Sequence, residues 1–253
     1  NRYYHDKSNP QVTDSEFDSL KKEITELEKK HKFLKSENSP SKSVGFTPSK
    51  NFKKVKHRIQ MLSLSNAFNE EDLKNFEKKI RNFLSLTKDF EIEYSAEPKI
   101  DGISASLTYK DGKFVQGISR GDGKEGEDIT ENLKTIKDIP KIINEKNFPT
   151  EIDVRGEVFI QNDDFKKINE KFASPRNAAS GSLRQKDPVV TSKIPLKFIA
   201  YTFGFAKEMN IKSQSIFLKN LKNWGFKINP YNKNIKGIKN LILNHQYLEK
   251  KRK

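Results

Sequence analysis

An Asp-Gly pair between two short runs of alternating residues restricts the fold more than any other feature of the sequence. Before the pair, apolar side chains occupy every second position, at Ile103, Ala105, Leu107 and Tyr109. After Asp111-Gly112, residues 114–119 form a second run. Every-second-residue alternation is typical of a strand with one buried face, and an Asp-Gly connection favours a tight hairpin. The chain is therefore predicted to contain an antiparallel sheet.

The other segments mix helical and strand patterns. Further strands are predicted at residues 91–99, 152–160 and 196–205, and helices are predicted to begin at Thr13, Asn69, Asn162 and Ser213, the third running to Phe172 and the fourth ending near Gly225. Residues 36–50 are rich in Ser, Pro and Lys and indicate a linker. We expect an α+β protein, with a small N-terminal helical lobe at 1–48 and a larger domain of antiparallel sheets and flanking helices at 49–253.

The charge balance favours a polyanionic partner. The 253 residues include 49 Lys and Arg against 34 Asp and Glu, a formal net charge of +15. Such a field suits nucleic acid first and an anionic membrane surface second, although a genome that uses Lys as its default surface residue would give the same balance. The sequence has no cysteine, which excludes disulfides and Cys-ligated zinc from this chain.

The sequence also lacks a continuous apolar run of membrane-spanning length and a signal peptide, so we expect a cytoplasmic protein without a membrane partner. The first residue is Asn1, and the last residues, 249–253, form a charged run without a helix stop signal. We therefore expect a fragment of a longer protein.

Lys99 is the first candidate for chemistry. It follows the predicted strand, within Glu-Pro-Lys-Ile-Asp-Gly at residues 97–102. In an extended segment Glu97, Lys99 and Asp101 would share one face, so that two carboxylates would flank one amine. A lysine in special surroundings can act as a nucleophile, but a surface turn of this composition is common and stays the simpler interpretation of this motif alone.

Three further motifs add polar groups. Residues 120–130 combine three glycines with acidic residues and predict a flexible loop whose backbone could meet a ligand, with Arg120 at the preceding strand end. Residues 154–159 place Arg155 and Glu157 inside a predicted strand. Charged residues within a strand indicate either a cleft or a strand with one solvent-exposed face. Residues 174–185 set small residues between Arg176 and Arg184, which could reach phosphates or belong to a helix packed on the sheet.

A fourth motif lies in the first lobe. Tyr4 and His5 precede a predicted helix on which Asp14 and Asp18 share one face. An aromatic ring and two acids could hold a cationic ring that carries a ribose. A solvated acidic face is the alternative.

Taken in order, these stretches resemble those of the bacterial NAD-dependent DNA ligases, from Tyr3 to about Phe226. The matching stretches are residues 3–5, 14–18, 39–45, 61–64, 97–102, 119–130, 154–159 and 175–185. The resemblance implies the N-terminal lobe and most of an adenylation (nucleotidyltransferase) domain. It further implies transfer of AMP from NAD+ to a lysine, then to the 5′-phosphate of nicked double-stranded DNA, and sealing in replication and repair by a monomeric enzyme.

The resemblance assigns roles to individual residues. Lys99 would be the nucleophile. Glu97 would bind the adenine, Arg120 and Glu157 the nucleoside, and Ser63 and Leu64 would line the NAD+ site. Tyr4, His5, Asp14 and Asp18 would bind the nicotinamide mononucleotide half, and Arg176 and Arg184 would contact DNA. Two acids near a lysine would raise its pKa, so a compensating charge is needed. We therefore expect Asp101 and Glu157 to help place Mg²⁺, through water, and Arg120 to assist.

The sequence departs from the family pattern at three positions and at its C-terminal end. Phe17 replaces a usual Tyr, Gln60 a usual Pro, and Ser174 a usual Asn. Two further lysine motifs expected after Phe226 are not found, so we expect this chain not to seal a nick alone. The alternatives are an ATP-dependent polynucleotide ligase or capping-type nucleotidyltransferase, and an inert basic module that only binds DNA.

Overall fold

The computed structural model describes residues 12, 14–35, 39, 52–168 and 172–251, without the side chains of Asp14 and Ser15. The predictions for Tyr4, His5 and the Thr13 cap, the side chain of Asp14 and most of the 36–50 linker lie outside the described residues. The helices are α1 Asp14–Lys30, α2 Glu70–Leu84, α3 Thr130–Lys134, α4 Asn162–Phe165, α5 Pro175–Leu183, α6 Pro188–Ser192, α7 Gln214–Asn223 and α8 Ile238–Lys251. The strands are β1 Lys54–Lys56, β2 Glu93–Ala96, β3 Ile103–Lys110, β4 Lys113–Ser119, β5 Glu125–Glu127, β6 Glu151–Phe159, β7 Lys197–Ala206 and β8 Lys233–Lys236.

A four-stranded antiparallel sheet in the order β4-β3-β6-β7 forms the centre of the fold. The predicted hairpin is present: β3 and β4 are joined by Asp111 and Gly112, both with positive φ, at 47° and 72°. An added Cβ at Gly112 would overlap the carbonyl oxygen of Ile143, so this position requires glycine for space as well as conformation.

One face of this sheet forms the hydrophobic core. Leu107, Tyr109, Val154 and Phe198 are 0% exposed. Helices pack on this face and bury small or apolar side chains against it. Among these are Ala178 and Ala179 of α5, Leu133 of α3 and Phe217 of α7. The hydroxyl of Tyr109 donates to the carbonyl of Pro140 at 2.6 Å, which satisfies the polar atom of a buried ring. The α+β class is confirmed.

Two short sheets flank the centre. In the first, β1 pairs with β5; in the second, β2 pairs with β8, with α8 packed against α2 beside it. The hydroxyl of Tyr94 on β2 donates to Glu77 on α2 at 2.8 Å and ties this sheet to its helix. The second sheet ends at Ala96, three residues before Lys99.

Local signals gave several element boundaries correctly. Asn69 caps α2 by accepting from the N–H of Asp72 at 2.9 Å, and Ser213 caps α7 by accepting from the N–H of Ile216 at 3.3 Å. The prediction that the Asn162 helix runs to Phe172 was wrong: α4 ends at Phe165. The strands β1, β5 and β8 and the helix α8 were not predicted. Among the described helices, none is long and apolar enough to cross a membrane.

Candidate active site on the polar face of the sheet

The second face of the four-stranded sheet is polar. On β3, Ser104 faces Glu157 of β6 in register, and its hydroxyl donates to the Glu157 carboxylate at 2.8 Å. One step along the same face, Ser106 lies opposite Arg155. Because alternate residues of a strand share a face, the apolar core positions between them place these polar groups together on the opposite side.

Glu157 is the acidic residue of this face whose pKa is shifted most. Burial raises the pKa of its carboxyl to about 7, and the hydrogen bond from Ser104 and the positive charges of Lys99, Arg176 and Arg120 oppose that shift. Three cations on three different elements therefore lie close enough to Glu157 to affect its ionisation. The structure brings these four predicted site residues together.

Lys99 lies in the segment between the second flanking sheet and the central sheet. The predicted strand at 91–99 is shorter than expected, since β2 ends at Ala96, so strand alternation does not place Glu97, Lys99 and Asp101 on one face. The Lys99 side chain is exposed. Gly102 brings this segment against β6, because an added Cβ there would overlap the carbonyl oxygen of Val158.

The two acids expected beside Lys99 have other partners. Glu97 accepts from Gln214 of α7 at 2.9 Å and from Ser95 at 2.9 Å. Asp101 is exposed and lies 3.3 Å from the Arg176 guanidinium. Lys99 also acts on a carboxylate from β6, because its charge lowers the pKa of Glu157.

Arg120 is half-buried and has an unused donor. Its Nη2 donates to the Ser63 hydroxyl at 2.8 Å, which joins two residues predicted to bind NAD+. Its Nε is shielded from solvent and has no hydrogen-bond partner among the described residues. Burial lowers the pKa of the guanidinium, and the charge of Glu157 opposes this. Leu64, the neighbour of Ser63, is 77% exposed.

The loop that follows Arg120 is more ordered than predicted. The Asp122 carboxylate accepts from the backbone N–H groups of Lys124 and Glu125, at 2.8 and 2.9 Å. The chain then enters β5, and Gly123 has a φ of 89°. A flexible loop was expected from three glycines, but they allow a tight turn whose backbone groups bond to one another and to β1.

Residues 57–61 form a strap across the polar face that the sequence did not indicate. Arg155 donates to the carbonyl oxygens of Ile59 and Gln60, the second at 3.3 Å. A carbonyl acceptor is available from any residue, so Gln60 provides this contact as the usual proline would. The polar alternation of Ser104, Ser106 and Thr108 was the available sign that this face receives another segment.

The two arginines predicted to contact DNA lie at opposite ends of α5, Arg176 in its first turn and Arg184 directly after it. Ser174 caps it by accepting from the N–H of Asn177 at 3.1 Å, a role that Asn also performs. The helix packs on the sheet, as the simpler interpretation of its small residues held. Arg184 donates to the fully buried Glu127 at 2.9 Å, whereas Arg176 is more exposed, at 37% of its side chain. DNA contact by either residue stays a prediction.

The remaining predictions concern the first lobe and the metal. Asp18 lies on α1, and the structure gives no contact between it and the groups around Glu157. Phe17 is half-buried on the same helix. In the described parts of the chain, no three His, Asp or Glu side chains come together as a metal site. For the predicted magnesium site, the described residues therefore offer the two carboxylates of Asp101 and Glu157 without a third acidic or histidine ligand beside them.

Two models of related protein families together match most of the chain. Residues 49–253 match the family model of the NAD-dependent DNA ligase adenylation domain, and residues 1–45 match the DNA ligase-like N-terminal NAD+-binding domain. A DNA ligase of Pelagibacter ubique is 71% identical over 253 residues, covering 100% of this chain and 37% of the relative. A DNA ligase of Parvibaculum lavamentivorans is 46% identical over 237 residues, covering 90% and 33%. The chain thus spans about a third of the length of these relatives.

Proposed function

The chain belongs to the family of NAD-dependent DNA ligases, and on that premise we propose that Lys99 accepts AMP from NAD+ as the first step of DNA ligation. The observation that supports this most is that Lys99, Arg120 and Arg176 all lie near enough to one carboxylate, Glu157, to lower its pKa. A cationic cluster with an unused donor on Arg120 suits a phosphate that carries negative charge.

The proposed transfer of AMP to Lys99 is a nucleophilic substitution at the α-phosphorus. The neutral Lys99 amine donates its electron pair to the α-phosphorus of NAD+ and forms a nitrogen–phosphorus bond. The bond from that phosphorus to the bridging oxygen breaks, and nicotinamide mononucleotide leaves with the electron pair. The nitrogen then loses one proton to solvent and keeps the other. The product is a lysine–AMP phosphoramidate.

The surrounding residues bind and orient the AMP half in this proposal. Arg120, held by Ser63, faces the phosphate or the sugar; Glu157 and Glu97 accept hydrogen bonds from the nucleoside; Leu64 offers an exposed apolar side chain to it. Tyr4, His5, Asp14 and Asp18 bind the nicotinamide mononucleotide half, in a separate lobe at 1–48. The match of residues 1–45 to an NAD+-binding domain supports this division of labour.

Magnesium remains part of the proposal in a limited form. Mg²⁺ commonly binds through one or two carboxylates, several waters and substrate phosphates, so Asp101 and Glu157 fit an ion that is held mainly by water and phosphate. Such an ion would offset negative charge on the α-phosphate. Arg176 already pairs with Asp101, so the chain itself supplies part of the compensating charge. A pH profile of adenylation that is unchanged by Mg²⁺ would remove this part of the proposal.

The later steps belong to the whole protein. We propose that AMP passes to the 5′-phosphate of nicked DNA and that the 3′-hydroxyl then displaces it, in replication and repair. The net charge of +15 and the exposed position of Arg176 support a DNA partner. A monomeric, cytoplasmic enzyme associated with the nucleoid is the expected setting.

Mass spectrometry of the chain incubated with NAD+ and Mg²⁺ tests the proposal. We expect an adduct of one AMP on the peptide containing Lys99 and none in Lys99→Ala. Lys113→Ala removes another exposed lysine, on β4, and is the matched control that should keep the adduct. An adduct on another residue, or none in a folded wild-type chain, would contradict the proposed nucleophile.

The family match disfavours the ATP-dependent alternative, because it includes the NAD+-binding lobe. A ligand that binds only the native state raises the melting temperature. NAD+ should therefore stabilise the chain more than ATP does at equal concentration. Salt-sensitive DNA binding without any response to NAD+ would instead favour the inert DNA-binding module.

A further inference from the structure

The side chain of His57 lies beside this site and has no role in the chemistry proposed above. It follows β1, at the start of the strap over the polar face. Its Nε2 lies 3.1 Å from the carbonyl oxygen of Ser119 and 3.1 Å from that of Arg120. Carbonyl oxygens only accept, so Nε2 must carry the proton and act as the donor.

The other ring nitrogen is held without a proton. Nδ1 of His57 is shielded from solvent and has no hydrogen-bond partner in the described residues. Burial lowers the pKa of His57, and the Arg155 charge lowers it further, against the carbonyls of Arg120 and Ser119 and the Asp153 charge. The ring is therefore a neutral donor at neutral pH. At the neighbouring Gly126, an added Cβ would overlap the Ser119 carbonyl oxygen and would lie 3.3 Å from Nε2.

The segment that carries His57 holds Arg120 at both ends. His57 binds the Arg120 carbonyl, and Ser63, six residues later, accepts from the guanidinium at 2.8 Å. Between them, Met61 donates its N–H to the Gly123 carbonyl at 2.9 Å, and the His57 N–H donates to that of Lys124 at 2.8 Å. One short segment thus fixes the backbone, the side chain and the following turn of Arg120.

We propose that His57 is a positioning residue that orients Arg120 for the AMP half of NAD+. This inference rests on the proposed function, because Arg120 is taken there to face the phosphate or sugar. Without the donor at His57, the carbonyls of Ser119 and Arg120 lose their side-chain contact with the strap. The Arg120 backbone, which also bonds to Ser104 and Gly123, is then held less tightly. The predicted effect is on nucleotide binding more than on the chemical step.

Three substitutions separate the donor from the bulk of the ring. His57→Leu removes the donor. His57→Gln keeps an N–H the same number of bonds from Cα as Nε2, and His57→Asn places it only as far as Nδ1. We expect KM for NAD+ in lysine–AMP formation to rise about tenfold in the Leu and Asn variants, with a smaller change in kcat. Gln should restore KM to within about threefold of wild type.

Equal KM values in wild type and all three variants, or an equal rise of KM in His57→Gln and His57→Leu, would overturn the proposal.

A double-mutant cycle on the dissociation constant of NAD+ then tests whether His57 acts through Arg120. If His57 acts through Arg120, adding His57→Leu to Arg120→Ala should weaken binding by less than about twofold. Multiplication of the two single effects would show an independent role and contradict the inference.

Two measurements on the chain without NAD+ distinguish failure of this inference from failure of the proposed function. The ¹⁵N resonances of the His57 ring should show a protonated Nε2 and an unprotonated Nδ1 at pH 7. Unfolding free energies should show coupling between His57 and Arg120. A wild-type chain that forms no lysine–AMP would refute the proposed function, while the positioning claim would still be decided by these two results. The opposite tautomer, or additive unfolding energies, would refute the positioning claim.

Discussion

The two faces of the four-stranded sheet differ in how they are stabilised. On one face, Leu107, Val154 and Phe198 are fully buried against helices. On the other face, Arg155 and Asp153 are buried charged residues whose partners come mainly from the strap. Apolar packing needs only volume and shape, whereas a buried charge needs a matched partner. The comparison indicates that the apolar face supplies most of the stability and that the polar face holds the site in a fixed arrangement.

The largest expected effect comes from breaking the apolar face. Phe198→Ala removes a fully buried ring and should lower the free energy of unfolding by about 3–5 kcal/mol. Chemical denaturation measures this value. Val115→Ala, at a position 45% exposed on β4, is the control and should cost about 0.5 kcal/mol or less. Similar losses in the two variants would contradict the assignment of the core to this face.

A smaller effect is expected from a buried acid of the polar face. Asp153 accepts from Arg58 at 2.9 Å and from Thr108 at 2.7 Å. Asp153→Asn keeps the shape but removes the charge, so it should cost about 1–3 kcal/mol of unfolding free energy. Glu151→Gln is the control, because Glu151 meets the same Arg58 at a more exposed position and should cost less than about 1 kcal/mol. A larger loss of unfolding free energy in Glu151→Gln than in Asp153→Asn would contradict this prediction.

The third effect depends on pH. Burial raises the pKa of Glu157 from 4.5 to about 7, so the native state holds this proton more tightly than the unfolded state does. The resulting stabilisation is full below pH 4.5 and is lost as the pH rises to about 7. The unfolding free energy of Glu157→Gln relative to wild type should therefore increase by roughly 1–3 kcal/mol over that range. A difference that does not change with pH would contradict the raised pKa of Glu157.

The smallest effect on stability is expected at Lys99. Its side chain is exposed, so Lys99→Ala should change the unfolding free energy by about 0.5 kcal/mol or less. The same substitution should abolish the AMP adduct. This contrast sharpens the comparison, because chemistry and stability would then depend on different residues. A loss of several kcal/mol would mean that the missing adduct reflects unfolding.

Features determined by neighbouring residues could be predicted from the sequence. The caps at Asn69 and Ser213 and the Asp111-Gly112 hairpin depend on side chains within a few positions, and all three are present. The short strands β1 and β5 could not be predicted in this way. Each has three residues, and they pair with each other across about seventy positions of sequence, so neither has a local signal that exceeds that of a loop.

The candidate site divides in the same way. Lys99, Arg120 and Glu157 were selected through the order of motifs that carries the family resemblance. Their surroundings could not be predicted, since the strand expected to align Lys99 with its acids ends at Ala96 and the charge of Lys99 also acts on Glu157 of β6. The ion pair between Arg184 and the buried Glu127 could not be predicted either, and DNA contact by Arg184 stays a prediction.

The amino-acid sequence by itself determined the α+β class, the hairpin and the family to which the chain belongs, because these depend on local pattern and on the order of motifs. Only the tertiary structure decided which groups act on one another: Lys99 on the pKa of Glu157, Arg176 with Asp101, and His57 with the carbonyl of Arg120. The physical reason is that a charge or donor inside a protein acts over a few ångströms, and residues far apart in sequence reach that distance only when the core has fixed the strands that carry them.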